Sequence, residues 1–422
     1  MLCNGASAPF TRSSGFSRGS AVASADKLDV VKVDVAIFGG GIAGLWLLGR
    51  LRESGYSAIL LESDGLGGVQ TLASQGIIHG GTKYALTGKL TGSSQAIKAM
   101  PGIWRAALAG QGELDLSQVR MLSDHQFLWS TAGLVSRMAG FFAGKVMESR
   151  MREVSGDERP ELFRDPAFKG VVYRLDEPVL DTASLAATLG QQYGDHTYNY
   201  SWPQGLEFES ARRFRLRARS GEWQTLETRC TVFTAGAGNQ ALLERLGRQR
   251  PAMQRRPLQM VMLRGKLPPI YAHCLGASAN PRLTITSYPS ETEETVWYLG
   301  GELAERGIGF GPEAQVAAAQ RELAALLPWV DLRGVVWRTL AVDRAEPQQP
   351  GGRRPDSSFL HEEEGLMVAW PTKLAFAPRL ASQVLKTLDE QGIRPSGDGR
   401  VVLDLAAPLP ARLPWEGDET WI

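Results

Sequence analysis

Apolar and polar positions along this chain switch between two periods. Residues 33–38, "VDVAIF", form a short, largely apolar run rich in β-branched residues, the pattern of a strand buried on both faces of a parallel sheet. From 42 to 54 the apolar residues fall at Ile42, Leu45, Leu48 and Leu51, which is the spacing of one helix face. Gly55 then supplies a natural stop. A second buried run at 58–61 ends on Glu62. The pattern predicts a β-α-β unit.

Further along the periodicity is mixed. Residues 96–165 read as mostly helical, with a strand near "HQFLWS". Residues 177–194 read as a loop and then a helix capped by Asp181 or Thr182. The stretch from "FESARRF" to "FTAGAG" reads as a hairpin turning near Ser220-Gly221, followed by a buried strand at 230–235. Segments 257–264, 282–288 and 295–301 are strand-like, and "SETEE" reads as an exposed turn. An amphipathic helix at 312–327, a strand at 366–370 and a helix at 378–390 follow. Strands and helices thus alternate at both ends around an antiparallel-looking block. The expected fold class is α/β (α+β overall). A Rossmann-type nucleotide-binding domain of 31–95, 176–245 and 335–395 carries an inserted, mostly antiparallel β-sheet substrate domain of 96–175 and 246–334. Residues 1–30 read as a disordered leader or an upstream translation start, and 396–422 as an irregular C-terminal tail.

Composition changes this picture little. Of the 422 residues 43% are apolar and 22% charged, which is ordinary for a globular chain. A net charge of +1 gives no electrostatic case for nucleic acid or an anionic membrane. Cys3, Cys230 and Cys274 are too few and too scattered for a disulfide framework or a CxxC site. A reducing, cytoplasmic setting and no metal centre are therefore expected. No apolar stretch reaches the ~18 residues of a membrane span.

The first β-α-β unit carries the chemistry. Gly39-Gly40-Gly41-Ile42-Ala43-Gly44 is a GxGxxG turn between the predicted strand and helix. Gly39 permits the tight turn, Gly41 clears space for a pyrophosphate, and Gly44 lets helix and strand pack closely. The helix N-terminus, with Ile42 and Ala43, offers N–H groups and a partial positive charge to phosphate. Glu62, ending the second strand, can accept both hydroxyls of an adenosine ribose. "ESDGLGG" holds no Arg for a 2′-phosphate, which disfavours NADP. Two further strand-turn-helix segments, "TVFTAGAGNQALL" with Ala235 and Gly236, and "AWPTKLAFAPRLASQVL", favour FAD over NAD.

On these residues the chain resembles the FAD-dependent oxidoreductases of the D-amino-acid oxidase type. That family includes glycine oxidase, sarcosine oxidase, L-2-hydroxyglutarate dehydrogenase and flavin-dependent glycerol-3-phosphate dehydrogenase. The resemblance covers roughly 33–390 and rests on "VAIFGGGIAGLWLLGRL", Glu62, "SQGIIHGGTKYAL", "VFTAGAG", "VDRAEP" and "AWPTKLAFAPRLA". It implies one FAD, with the segment after Glu62 running beneath the cofactor. Gly76 and Gly80 would let the backbone approach, Thr71, Ser74 and Gln75 would supply polar contacts, and His79 would lie near the flavin ring. His79 has three open readings: a histidine hydrogen-bonded beside the cofactor, a catalytic or substrate-orienting residue, and a covalent anchor. His125, His196, His273 and His361 read as structural.

The resemblance also implies an anionic substrate over the flavin face. Arg344 falls where glycine-oxidase-like members carry a carboxylate-binding Arg, although Val-Asp-Arg-Ala replaces their Gly-Leu-Arg-Pro. Asp343 is an alternative partner for it. Lys373, with Leu374 beside it in the "WPTKLAFAP" turn, would sit near the flavin pyrimidine, where a cation stabilises the reduced flavin. Trp370 is a candidate pocket wall, and Arg255, Arg256, Gln259 and Arg264 are weaker substrate-side candidates. The expected activity is hydride transfer to flavin N5 from a C–H next to an amine or hydroxyl of a small, carboxylate-bearing substrate. Oxygen or another electron acceptor then takes the electrons. The rival reading is a non-catalytic flavin-binding or redox-sensing protein on the same fold.

Overall fold

The computed structural model describes residues 30–81, 92–132, 151–276, 280–290, 293–397, 399–416 and 420–422. The expected leader, apart from Val30, lies outside them, as do Lys83 and Tyr84 of the "IIHGG-K-Y" block.

Val31–Phe38 is a central strand of the first sheet. Its alternation places Val35 and Ile37 on one face and Ala36 and Phe38 on the other, and all four are fully buried. Ala58–Glu62 and Trp223–Phe233 flank it in parallel. Thr197–Asn199 and Leu366–Trp370 extend the sheet, and the edge strand Phe359–Glu363 runs antiparallel. Helices Ile42–Glu53, Thr182–Gln192 and Ala377–Glu390 cover the Val35/Ile37 face. The side chain of Asp181 caps Thr182–Gln192 by accepting from the amides of Ala183 and Ser184 at 3.0 Å. The expected hairpin forms from Arg213–Arg217 and Trp223–Phe233, with Gly221 at φ +91° in the turn.

The second eight-stranded sheet runs, edge to edge, Val336–Pro347, Met253–Gly265, Thr295–Gly300, Leu283–Pro289, Ala272–Cys274, Gln126–Ser130, Val171–Leu175, Met151–Val154. Ladders are antiparallel except between Ala272–Cys274 and Gln126–Ser130. Helix Pro312–Leu326 covers one face through Val316, Ala319 and Leu323. The other face, with Met260, Tyr298 and Val342, packs towards Leu72 of the nucleotide-binding part. Among the described residues no helix is long and apolar enough to cross a membrane.

The structure departs from the sequence reading in two places. Residues 133–150 of the expected helical segment 96–165 lie outside the described residues; the rest contains an α-helix within Gly92–Leu108, followed by strands Met121–Ser123, Gln126–Ser130 and Met151–Val154. These strands are three to five residues long and are stabilised by remote partners, which local periodicity does not register. The strand Val336–Pro347, expected with 335–395 in the nucleotide-binding domain, pairs along its length with Met253–Gly265 of the second sheet. Among its described residues the tail has no regular element, yet it ties both sheets. Leu66 bonds Leu409 and Ala411 at 2.9 and 3.0 Å, Trp415 packs on Tyr288, and Ile422 pairs with Trp337.

Candidate functional site

A cavity of about 550 Å³ opens at the C-terminal ends of the parallel strands and reaches the inner face of the second sheet. The site residues expected from the sequence all line it, except Gly44 and Gly80, which stand behind its wall. Gly39 has φ +109°, and a Cβ there would lie 2.5 Å from Ala235 Cα. A Cβ on Gly44 would lie 2.0 Å from the Gly39 carbonyl oxygen. Both positions therefore require glycine. Gly41 differs: only Thr71 Oγ1, at 3.3 Å, would crowd a side chain there.

At this turn the Ile42 N–H donates to Thr71 Oγ1 at 3.0 Å, and the Gly40 N–H donates to Glu62 Oε2. The other Glu62 oxygen accepts from the Ser63 and Asp64 amides, each at 2.8 Å, so the acid is oriented by backbone before any ligand arrives. Gly236, at φ +57°, brings a third strand-turn to the same cavity. Trp370 does line the cavity, but its indole N–H is spent on the Gly236 carbonyl at 3.0 Å. The Ser74 hydroxyl oxygen is buried on the cavity wall without a hydrogen-bond partner among the described residues. A glycine cradle at a helix N-terminus, an oriented acid and an unsatisfied hydroxyl suit a bound dinucleotide.

Gln75 turns instead to the second sheet, donating to the Tyr298 carbonyl at 2.9 Å. Gly76, at φ +67°, packs so close to the Leu180 carbonyl that a Cβ would lie 2.0 Å from it. Lys373 lines the cavity beside Leu374 and places its ammonium 5.0 Å from the Phe376 ring centre. Thr372, just before it, has φ +61°, a strained value for a β-branched residue.

His79 faces the cavity with Nδ1 3.5 Å from Glu177 Oε2. Its ring stacks on His273 at 5.5 Å and 20°. His273, read from sequence as structural, thus lines the site, with Nδ1 2.8 Å from Thr284 Oγ1. Burial pushes the Glu177 carboxyl up, but hydrogen bonds from His79, Gly80 and Gln126 more than offset it and hold the group below its ordinary value.

Arg344 lines the opposite wall with Arg354, Glu305 and Glu346. It does not pair with Asp343, which bonds Arg255 at 2.6 Å on the other face of the strand. Arg344 instead lies 3.9 Å from Glu305, and its Nε donates to the Arg256 carbonyl at 3.2 Å. Burial, then Arg354 and Arg256, lower its pKa to about 10, so it stays charged at neutral pH. Arg354 has a buried Nε without a hydrogen-bond partner among the described residues. The weaker candidates Arg255, Arg256, Gln259 and Arg264 do not line the cavity; Arg256 stands behind Arg344, 3.3 Å from Glu346. The sequence reading missed Glu177, Glu305 and Arg354, which sit in no motif.

Comparison with known proteins agrees with this geometry. Residues 34–370 match the family model described as FAD dependent oxidoreductase (DAO). The chain is 49% identical over 389 residues to a curated protein of Pseudomonas aeruginosa named "Probable FAD-dependent oxidoreductase PA4991", covering 92% of this chain and 98% of that one. The crystal structure of the FAD dependent oxidoreductase PA4991 from that organism superposes with TM-score 0.78 at 44% identity, covering 92% and 98% of the two chains. Glycine oxidase from Geobacillus kaustophilus shares the fold, with TM-score 0.61 at 16% identity over 86% and 95% of the chains.

Proposed function

The chain belongs to the FAD dependent oxidoreductases of the D-amino-acid oxidase type, and on that premise we propose that it oxidises a small carboxylate-bearing substrate at a C–H bond next to an amine or hydroxyl. FAD is its cofactor, and when bound it supplies the N5 atom that accepts a hydride. Gly39, Gly41 and the Ile42 end of the helix hold its pyrophosphate, and Glu62 its ribose. The remaining tasks fall to other side chains lining the cavity. Arg344 grips the substrate carboxylate, Lys373 offsets negative charge that develops on the cofactor, and His79 stands where a substrate proton is released.

The observation that supports this reading best is the charge of the cluster around Arg344. Arg256, Arg344 and Arg354 carry three positive charges against two from Glu305 and Glu346, a net +1 in a half-buried site. One carboxylate balances it. The test is anaerobic reduction of the bound flavin by a panel of amino acids and hydroxy acids. Arg344→Ala should keep FAD and its spectrum but slow reduction by the active compound. The loss should be about 2–5 kcal/mol, or roughly 30- to several-thousand-fold at low substrate. Arg344→Lys should recover only part, because an ammonium lacks the fork. Equal rates for wild type and Arg344→Ala would remove the carboxylate clamp.

A further inference from the structure

We propose that Glu177 is a positioning residue for His79, that the two form a proton-accepting dyad, and that this dyad suits a 2-hydroxy acid rather than an amino acid. The inference rests on the function proposed above and names its substrate class.

Glu177 is 3% exposed and lies in the short loop between strands Val171–Leu175 and Val179–Leu180. A carboxylate so deep in the protein is costly unless it is fully engaged. Here it is engaged on both oxygens. Oε1 accepts the Gly80 N–H at 2.7 Å, and Oε2 accepts the Gln126 amide and faces His79 Nδ1 at 3.5 Å. One carboxylate thus holds both the backbone after His79 and the ring itself. His273 packs flat against the other side of that ring and is held in turn by Thr284. Glu177 and His273 are titratable groups that face His79.

This arrangement has a chemical consequence. Glu177, held below its ordinary pKa, is an anion, and its Oε2 faces Nδ1 as a hydrogen-bond acceptor, which favours the proton on that nitrogen. Neutral His79 then carries its lone pair on Nε2, the nitrogen on the far side of the ring. Oxidation of an alcohol releases two hydrogens. The C–H hydrogen leaves with its electron pair as hydride for the oxidised flavin, the O–H proton goes to His79 Nε2, and the C–O bond becomes a carbonyl. The imidazolium so formed is stabilised by the buried Glu177 charge. An amine that arrives neutral, its ammonium proton already lost to solvent, gives up hydride without needing such an acceptor, so an amino acid bound in that form would leave the dyad idle.

The test uses the FAD-loaded full chain labelled at its histidine rings. There are only five histidines, and His79→Gln identifies the signal. Two-bond nitrogen–proton spectra of the wild type should show His79 as the Nδ1–H tautomer; the Nε2–H tautomer overturns the proposal, whether or not Glu177→Gln folds. Glu177→Gln should lower the His79 titration midpoint by about one unit or more, and an unchanged midpoint overturns the positioning role. In the second arm the flavin is mixed anaerobically with matched pairs: glycolate and glycine, lactate and alanine, malate and aspartate. A hydroxy acid should reduce it, faster as pH rises through the His79 midpoint, while its amino partner does not. Glu177→Gln should slow that reduction roughly 10- to 100-fold with little change in half-saturating substrate. Reduction by amino acids alone overturns the substrate class. Reduction by neither class overturns it together with the function proposed above, and the tautomer still decides the role of Glu177.

Discussion

Gly44→Ala and Gly41→Ala should separate the two jobs of the glycine turn. The Gly44 Cβ would sit 2.0 Å from the Gly39 carbonyl oxygen and 2.8 Å from Thr234 Oγ1. The obstacle is backbone, so it cannot swing aside. Gly39 cannot retreat either, because its own neighbour Ala235 would lie 2.5 Å from a Cβ placed on it, and its carbonyl already accepts the Thr234 hydroxyl at 3.0 Å. The helix Ile42–Glu53 must therefore move off the sheet by on the order of 1 Å. Overpacking of this kind costs about 1–3 kcal/mol, and a weakened Thr234 hydrogen bond adds about 1. A fall in Tm of about 2–5 °C is expected for the cofactor-free protein. FAD affinity should fall at least tenfold as well, since the shifted helix no longer presents its first amides. At Gly41 a methyl meets only Thr71 Oγ1, at 3.3 Å, and otherwise enters the cavity. Gly41→Ala should keep a Tm within about 1 °C of wild type and still lose FAD affinity, by roughly tenfold or more. Circular dichroism melts of the cofactor-free proteins and quenching of flavin fluorescence on titration read the two effects apart. Wild-type melting and binding in Gly44→Ala would refute the close packing of helix on strand. Wild-type binding in Gly41→Ala would move the pyrophosphate away from this turn.

Three other outcomes follow from the same geometry. Glu62→Ala should weaken FAD binding roughly tenfold or more, since charge-assisted hydrogen bonds contribute ~1.5–3 kcal/mol; unchanged affinity would take the ribose off this acid. Acid precipitation should leave yellow FAD in the supernatant, whereas flavin that stays with the polypeptide would make His79 a covalent anchor. In a Cys3→Ser variant, Cys230 and Cys274 should resist a thiol reagent until the protein is unfolded. Both are buried, which pushes each thiol up to about 12, and rapid labelling of the native protein would contradict that packing.

How much of this was legible beforehand depended on sequence distance. The glycine turn, Glu62 and the β-α-β unit lie within residues 31–62 and obey local periods, so pattern alone located them. The Asp181 cap and the helix Pro312–Leu326 were readable for the same reason. Alternation along "VDRAEP" was visible too, but not which face it served. Pairing with Met253–Gly265 turns Val342, Arg344 and Glu346 towards the cavity and sends Asp343 to Arg255. Shifting that register by one residue would exchange the faces and take Arg344 out of the site. The histidine end of the cavity was further from reach. Glu177 meets Gly80 across 97 residues and Gln126 across 51, and His273 arrives from another strand of the second sheet. No local period records such meetings, because they are fixed by strand pairing between remote segments and by the need to satisfy a buried carboxylate. The sequence by itself thus determined the glycine turn and the acid that frame one end of the cavity. Only the tertiary structure decided which charges and which histidines would face what it holds.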